Sequence, residues 1–243
     1  MRCAIMADIH ANLEAFTAVL GDIERQGGFD ELLCLGDIVG YGPDPHACLE
    51  LLRRQKCLCV AGNHDWAAIS KLDTSEFNPD AAAAARWTAN QLTAEDRQYL
   101  ESLPLVAEKG EFTLVHGSPR EPIREYVQSP DIACDNLAFL KTPYCLVGHT
   151  HAPLIFTDEG GSCTVRGFTP ETKLPLGKKR LIINCGGVGQ PRDGDSRASY
   201  GIYDSQGKSV RLYRVAYDIA ATQAKMLREG LPISLATRLS YGV

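Results

Sequence analysis

The chain alternates short hydrophobic runs with longer stretches in which hydrophobic residues recur every three or four positions. Runs of four or five apolar residues are typical of buried strands, and the wider spacing is typical of helices that cover a sheet. The first half therefore has the pattern of βαβ units and predicts a largely parallel sheet. Its strands are predicted at residues 3–7, 32–35, 57–60, 112–115, 144–147 and 181–184.

Helices are predicted between these strands. Residues 13–23 carry their apolar side chains at helical spacing. Asn, Ser and Thr accept hydrogen bonds from the first free amides of a helix, and Pro fits its first turn, so these residue types mark helix starts. Further helix starts are predicted at Pro45, Asn78, Thr93 and Ser129.

The second half reads differently, because after residue 151 short apolar runs are separated by glycine turns. Strands at residues 154–157, 162–166, 181–184, 200–204 and 210–215 predict a second, largely antiparallel sheet. Residues 167–179, rich in Pro and Lys, are predicted as a surface loop. A C-terminal helix over residues 217–227 is expected to pack through Ile219, Met226 and Leu227. No linker or repeat divides the chain, so we expect one domain of residues 1–243, with about 216–243 as a helical extension.

The composition and charge of the chain argue against several classes of protein. The 243 residues are 44% hydrophobic and 23% charged, which is ordinary for a globular chain. No apolar run approaches the roughly 20 residues that cross a bilayer, and Asp8 interrupts the first run too early for a secretory signal. Nine cysteines without a regular framework suggest reduced thiols and a cytoplasmic protein. A net charge of −5 without a basic tract argues against binding of duplex nucleic acid.

Polar residues that bind metals follow five of the predicted strands. Ligands of open α/β sheets bind beyond the carboxyl ends of the strands, so these side chains are expected to converge. Five of the six histidines take part, and we assign no functional role to the sixth, His46, at a helix start. The side chains are Asp8 and His10, Asp37, Asn63 and His64, His116, and His149 and His151.

The spacing of these residues favours a two-metal centre. In extended backbone, residues i and i+2 point to the same side, as for Asp8 with His10 and for His149 with His151. Imidazole and carboxylate groups suit Mn, Fe, Zn or Ni, and the absence of paired cysteine ligands argues against a structural zinc site. Asp37 has two oxygens and can bridge two ions about 3.5–4 Å apart.

The ordered motifs resemble those of the calcineurin-like metallophosphoesterases, over residues 1 to about 215. They are DIH at 8–10, GD at 36–37, GNHD at 62–65, HG at 116–117 and GHTH at 148–151. GDIVGYGPDP at 36–45 and the stretch 189–200 resemble a subgroup of small bacterial and archaeal phosphoesterases. The resemblance implies an α/β fold, a four-layer αββα sandwich of two mixed sheets, with a dinuclear metal site between the sheets.

The resemblance also implies roles for single residues. Asp37 would bridge two divalent ions, with manganese as the first expectation and Fe, Zn or Ni as alternatives. A water shared by the ions would attack phosphorus in line, while His64 protonates the leaving oxygen. The substrate would be a small phosphomonoester, a phosphodiester or a dinucleoside polyphosphate. The remaining ligands would be Asp8, His10 and His151 on one ion, and Asn63, His116 and His149 on the other.

One motif departs from the protein Ser/Thr phosphatases of this superfamily. They carry GDxVDRG, whereas Gly40 and Tyr41 replace the Asp and the Arg here. Tyrosine cannot clamp a phosphate as arginine does, and the carboxylate that would orient His64 is missing. The partner of His64 is therefore open, and the neighbouring Asp65 need not reach it.

Three residues are candidates for substrate contacts. They are Tyr41, Arg192 and Arg197, although the two arginines fit surface salt bridges with Asp193 and Asp195 equally well. A protein Ser/Thr phosphatase is the main alternative function. A non-catalytic metal-binding module for protein interaction is disfavoured, because the ligand set is complete and His64 is present.

Overall fold

Two six-stranded sheets and their flanking helices form the computed structural model, which describes residues 1–170 and 172–243. The strands are β1 (Arg2–Met6), β2 (Glu31–Cys34), β3 (Cys57–Cys59), β4 (Val106–Lys109), β5 (Phe112–Val115), β6 (Tyr144–Val147), β7 (Pro153–Asp158), β8 (Cys163–Gly167), β9 (Lys173–Pro175), β10 (Leu181–Cys185), β11 (Ala198–Asp204) and β12 (Ser209–Val215). The helices are α1 (Leu13–Arg25), α2 (Pro45–Arg53), α3 (Asn63–Ala68), α4 (Pro79–Gln91), α5 (Ala94–Ser102), α6 (Pro130–Leu137), α7 (Ile219–Arg228) and α8 (Ile233–Arg238).

Both sheets are mixed. The first has the order β3-β2-β1-β11-β12-β9, in which β1, β2 and β3 run parallel and the other pairs are antiparallel. The second has the order β4-β5-β6-β10-β7-β8, with β5, β6 and β10 parallel. The α/β fold with two mixed sheets is thus confirmed.

Side-chain alternation along β1 explains the four layers. Ala4 and Met6 point to one face, where they pack with α1 residues such as Phe16. Cys3 and Ile5 point to the opposite face and join residues of the second sheet in a core between the sheets. A third cluster lies where α6 covers the outer face of the second sheet. The layers are therefore helix, sheet, sheet and helix, which confirms the αββα sandwich.

The expectation of one largely parallel sheet followed by one largely antiparallel sheet is wrong. The six apolar runs divide equally, with β1 to β3 in the first sheet and β5, β6 and β10 in the second. The later strands divide as well, since β7 and β8 extend the second sheet and β11 and β12 the first. An apolar run reports burial on both faces, which central strands of either sheet share, and so it does not identify the pairing partner.

Several local predictions can be compared with the structure. Asn78, Thr93 and Ser129 cap α4, α5 and α6 by accepting the amide hydrogen three residues later, as expected. The predicted loop at 167–179 is wrong in part, because β9 adds an edge strand there; its residue 171 lies outside the described residues. Met226 is buried in the packing face of α7, but Leu227 is 53% exposed, so that part of the prediction is wrong.

Two further observations concern the chain as a whole. All nine cysteines, each within the described residues, are free thiols. Over residues 1–170 and 172–243, every helix is too short or too polar to span a bilayer.

Candidate metal centre

The polar residues after the strands sit in sharply bent backbone. Asp8 and Asp37, at the ends of β1 and β2, have φ of 56° and 53°. His10, His149 and His151 also have positive φ, at 48°, 65° and 58°. Non-glycine residues rarely adopt this left-handed region, which costs of order 1–3 kcal/mol and is concentrated at functional sites. These turns leave the strand direction abruptly and direct five side chains to one place.

The turns gather the ligand atoms into two buried groups that share one carboxylate. Within each group, the candidate ligand atoms all lie within 4.8 Å of one another. Asn63 adjoins the second group, since its Oδ1 lies 3.0 Å from Nε2 of His116. All seven residues that the sequence singled out as ligands are therefore brought together. The first group is Asp8, His10, Asp37 and His151, and the second is Asp37, His116 and His149.

Backbone carbonyl groups fix how the four imidazoles are oriented. A carbonyl oxygen only accepts, so the ring nitrogen that meets it must carry the proton. The opposite nitrogen then faces the cluster with its lone pair, which is the arrangement usual for metal-binding histidines. The outer contacts are His10 Nδ1 to the oxygen of Val39 (3.2 Å), His116 Nδ1 to Leu35 (2.8 Å), His151 Nδ1 to Gln190 (2.5 Å) and His149 Nε2 to Arg124 (3.2 Å).

Several inward atoms lack ordinary hydrogen-bond partners. Nε2 of His10 lies 3.2 Å from Nε2 of His151, and in neutral rings held by those carbonyls the two lone pairs face each other. Nε2 of His116 lies 3.1 Å from Nδ1 of His149 and 3.0 Å from Oδ1 of Asn63. In the described part of the chain, Oδ2 of Asp8 and Oδ2 of Asp37 are also buried without a hydrogen bond. The donor set therefore fits cations, which would accept electron pairs from all of these atoms.

The pKa values of these groups reflect burial and crowding. Burial lowers the pKa of His149 to about 3 and raises that of Asp8 to about 7. Burial would also lower the pKa of His116, but the Asp37 carboxylate beside it raises that pKa to about 9. In the protein without ions, one imidazolium thus supplies positive charge to the carboxylates.

His64 lies beside the cluster among aromatic rings. Its ring centroid is 4.3 Å from that of Tyr41 and 4.9 Å from that of Phe77. Its Nδ1 is buried and has no hydrogen-bond partner among the described residues. Gly40, with φ of 91°, permits this position, because a Cβ there would lie 2.8 Å from Nδ1. Packing, rather than a carboxylate, therefore holds the ring, and burial lowers its pKa to about 4.

Asp65 supports the centre in a way that sequence reasoning missed. Its Oδ2 accepts hydrogen bonds from the amides of Asp37 (2.9 Å) and Gly62 (3.0 Å). Its Oδ1 accepts from the amides of Ile38 (2.9 Å) and Val39 (3.1 Å). Both oxygens are thereby used to shape the turn that carries Asp37, which explains why Asp65 does not orient His64. A buried Asp of this kind looks like any turn Asp in a sequence.

The three candidates for substrate contacts differ in position. Tyr41 is buried beside His10, with ring centroids 4.6 Å apart. The guanidinium carbon of Arg192 lies 5.6 Å from the centroid of the Tyr41 ring. Arg197 instead pairs with Asp195 at 2.6 Å on the surface, which agrees with its alternative interpretation as a salt bridge. Asp193 pairs with Arg214, so the corresponding alternative for Arg192 is wrong.

A cavity of about 140 Å³ opens beside the second group of ligand atoms. Phe77, Arg124 and Tyr126 line it together with the candidate ligand His149. The Tyr126 ring stacks on the imidazole of His149, with centroids 3.7 Å apart. No sequence pattern indicated Tyr126, because it comes from a loop far from any of the motifs.

His46 and Cys185 lie outside the cluster, as expected for His46. His46, at the start of α2, places its Nδ1 2.8 Å from a carboxylate oxygen of Asp96. Cys185, the last residue of β10, is buried, and burial raises the pKa of its thiol to about 12. A Cβ on Gly201 would lie 2.6 Å from its Sγ, so the sulfur faces β11 of the other sheet.

Comparison with known proteins assigns the chain to a family. Residues 1–208, which include every candidate ligand, match the family model described as the calcineurin-like phosphoesterase superfamily domain. A metallophosphoesterase from Sphaerobacter thermophilus, known from its crystal structure, is 48% identical, with a TM-score of 0.91 over 100% of this chain and 99% of that chain. An uncharacterized protein of Methanocaldococcus jannaschii is 40% identical over 98% of this chain and 97% of its own. A symmetrical bis(5'-nucleosyl)-tetraphosphatase of Glaesserella parasuis is 31% identical over 48% of this chain and 44% of its own.

Proposed function

Because the chain belongs to the calcineurin-like phosphoesterase superfamily, we propose that it hydrolyses a small phosphorylated molecule with the help of two divalent metal ions, manganese first among them. The observation that carries this proposal is the buried set of carboxylate and imidazole donors that shares Asp37. The substrate would be a phosphomonoester, a phosphodiester or a dinucleoside polyphosphate. The similarity to a bis(5'-nucleosyl)-tetraphosphatase supports a nucleotide as the substrate.

The two groups of donors define which residues would hold the ions. Asp8, His10 and His151 would hold one, Asn63, His116 and His149 the other, and Asp37 would contact both. When bound, such ions supply positive charge to phosphoryl oxygens and lower the pKa of a coordinated water. Two divalent ions would outweigh the two carboxylates by two positive charges, so the loaded site would attract a phosphate in a protein that is otherwise acidic.

His64 is the proposed proton donor to the leaving oxygen. Its Nδ1 is enclosed against Gly40, which leaves Nε2 as the nitrogen that can meet substrate. Burial lowers the pKa of His64 to about 4, so the ring is neutral before substrate binds. The negative charge of a bound phosphoryl group favours protonation of the ring, so the proton would arrive together with the substrate.

The test is hydrolysis of p-nitrophenyl phosphate and its bis ester by protein loaded with manganese. We expect His64→Ala to lose at least tens-fold in kcat while it retains metal, because general acid catalysis typically contributes about 10²–10⁴-fold. Asp37→Asn should instead bind less metal. His46→Ala is the matched control and should keep the normal rate, since His46 contacts Asp96 outside the cluster. A normal kcat in His64→Ala would remove His64 from the mechanism.

The protein phosphatase alternative makes a different prediction. It requires turnover of phosphopeptides, whereas the small-molecule proposal requires turnover of free phosphate esters or nucleotides. Tyr41, at the position of the phosphate-binding arginine of that class, packs among apolar side chains such as Met226. A panel of phosphopeptides, simple esters and nucleotides assayed with the same metal-loaded sample separates the two functions.

A further inference from the structure

Two arginines from distant parts of the chain lie on the Tyr41 side of the metal centre. Arg192 belongs to the loop before β11, and its amide donates to the carbonyl oxygen of His151 at 3.4 Å. Its guanidinium lies over the Tyr41 ring and donates to the side-chain oxygen of Gln190 at 2.8 Å. Since Tyr41 also contacts His10, this guanidinium is one aromatic ring away from the first group of ligand atoms.

Arg238 is the last residue of α8 and reaches the same region. Leu235 and Leu239, on either side of it along the chain, pack in one apolar cluster with Tyr41. Burial and the positive charge of Arg192 both lower the pKa of Arg238. Residue 238 lies beyond the range matched by the family model, so the family motifs give no indication of it.

The segment after α8 holds both arginines in place. The amide of Gly194, two residues after Arg192, donates to the carbonyl oxygen of Gly242 at 2.9 Å. The contact is close, because a Cβ on Gly242 would lie 2.6 Å from the backbone of Asp195. Arg238 itself donates to the backbone oxygen of Val243. These contacts join the loop that carries Arg192 to the end of α8, so the two arginines are held in one region before any ligand arrives.

No carboxylate side chain among the described residues balances the charges of this pair. Over the described residues, neither Arg192 nor Arg238 forms a salt bridge with a carboxylate side chain, whereas the nearby Arg214 does. Nε of Arg192 is buried and has no hydrogen-bond partner in that part of the chain. Two half-buried cations in one region are unfavourable unless an anion joins them, and guanidinium groups match the oxygens of phosphate in geometry.

We propose that Arg192 and Arg238 form a second oxyanion subsite, which binds another phosphate group of the substrate of the proposed hydrolase. Tyr41 separates this subsite from His64, the proposed proton donor to the leaving oxygen, so the second phosphate belongs to the leaving group. The preferred substrate class is then a phosphoric anhydride with two or more phosphates. Water forms a bond to phosphorus, the bond from phosphorus to the bridging oxygen breaks, and that oxygen keeps the electron pair and takes up a proton.

The test compares two substrates on the metal-loaded full chain. Inorganic tripolyphosphate offers a phosphorylated leaving group, and p-nitrophenyl phosphate does not. We expect wild type to have a kcat/KM at least tenfold higher for tripolyphosphate. Arg238→Gln and Arg192→Gln should each lower that value about tenfold, mostly through KM, and should lower the value for p-nitrophenyl phosphate at least fivefold less. Arg228→Gln, an exposed arginine of α7 paired with its neighbour Glu229, is the control and should match wild type on both.

A binding measurement gives a readout that does not depend on turnover. Tripolyphosphate should raise the melting temperature of the chelator-treated protein, and Arg238→Gln should lose at least half of that shift. The subsite is refuted if wild type shows no preference for tripolyphosphate, if the variants lose equally on both substrates, or if wild type shows no thermal shift. Absence of turnover of either substrate with any metal would instead refute the proposed hydrolase, while the thermal shift would still decide on the subsite.

Discussion

Replacement of Asp65 by Asn tests whether the turn that carries Asp37 is held by a buried carboxylate. In the wild-type protein each oxygen accepts two backbone amides, at distances of 2.9–3.1 Å. Asparagine keeps one oxygen and puts an NH₂ group where the other was. Two amides then lose their acceptor and face a donor instead, with almost no change in side-chain volume.

The expected loss follows from those two bonds. A hydrogen bond to a charged group contributes about 1.5–3 kcal/mol, so Asp65→Asn should lose about 3–6 kcal/mol of unfolding free energy. That is a large part of a total that is typically about 5–15 kcal/mol. Because Asp37 shifts with the turn, the metal content should fall as well. Urea unfolding at low temperature with excess manganese measures the first quantity, and elemental analysis after dialysis measures the second.

The control is Asp218→Asn. Asp218 caps α7 by accepting the amide of Ala221 at 3.0 Å, and Asn caps helices about as well as Asp. This control should change stability by less than about 0.5 kcal/mol. A loss below about 1 kcal/mol in Asp65→Asn, together with full metal content, would refute the reasoning that Asp65 holds the turn.

Three further outcomes are expected. Removal of metal with a chelator should lower the melting temperature, because lone pairs then face one another in the cluster; an unchanged melting temperature would count against bound cations. Gly40→Ala should lower kcat more than tenfold with metal retained, since a Cβ there would lie 2.8 Å from Nδ1 of His64, and a normal kcat would contradict that contact. Burial acts to raise the pKa of Asp96, but hydrogen bonds from Thr93 and His46 outweigh it and lower that pKa. Its stabilising effect is therefore complete above the unfolded pKa of about 3.9 and is lost as pH falls through the lower folded value. Urea unfolding at pH 6 and at about pH 3 should show wild type losing more stability than Asp96→Asn, and equal losses would argue against this contribution.

The sequence located the candidate ligands better than it located their neighbours. His149 and His151 are recognisable as polar residues that follow a strand end. The extended backbone expected for positions i and i+2 is wrong, because both residues have positive φ. Asp65 acts through backbone amides, and backbone amides carry no residue-specific pattern. Tyr126 stacks on His149 from a loop, and the last helix packs Leu235 with Tyr41, and only tertiary packing brings these residues together.

The sequence likewise predicts some features of the fold and misses others. The apolar runs of β1 and β10 identify buried strands, but membership of a sheet depends on long-range pairing that such runs do not encode. The strand β4 escaped notice because its side chains alternate between exposed and half-buried positions along a short, partly charged segment. The edge strand β9 has only three residues, in a stretch whose composition favours a loop.

The candidate ligands come from both sheets, and this has a mechanical consequence. In the first group, Asp8 and Asp37 follow strands of one sheet while His151 follows β6 of the other; in the second, Asp37 meets His116 and His149 across the same junction. Each cation would therefore connect the two sheets of the sandwich. Binding of the cations should slow amide hydrogen exchange in both β2 and β6, although these strands share no hydrogen bond. The reason is that neither sheet could open alone without releasing the ions.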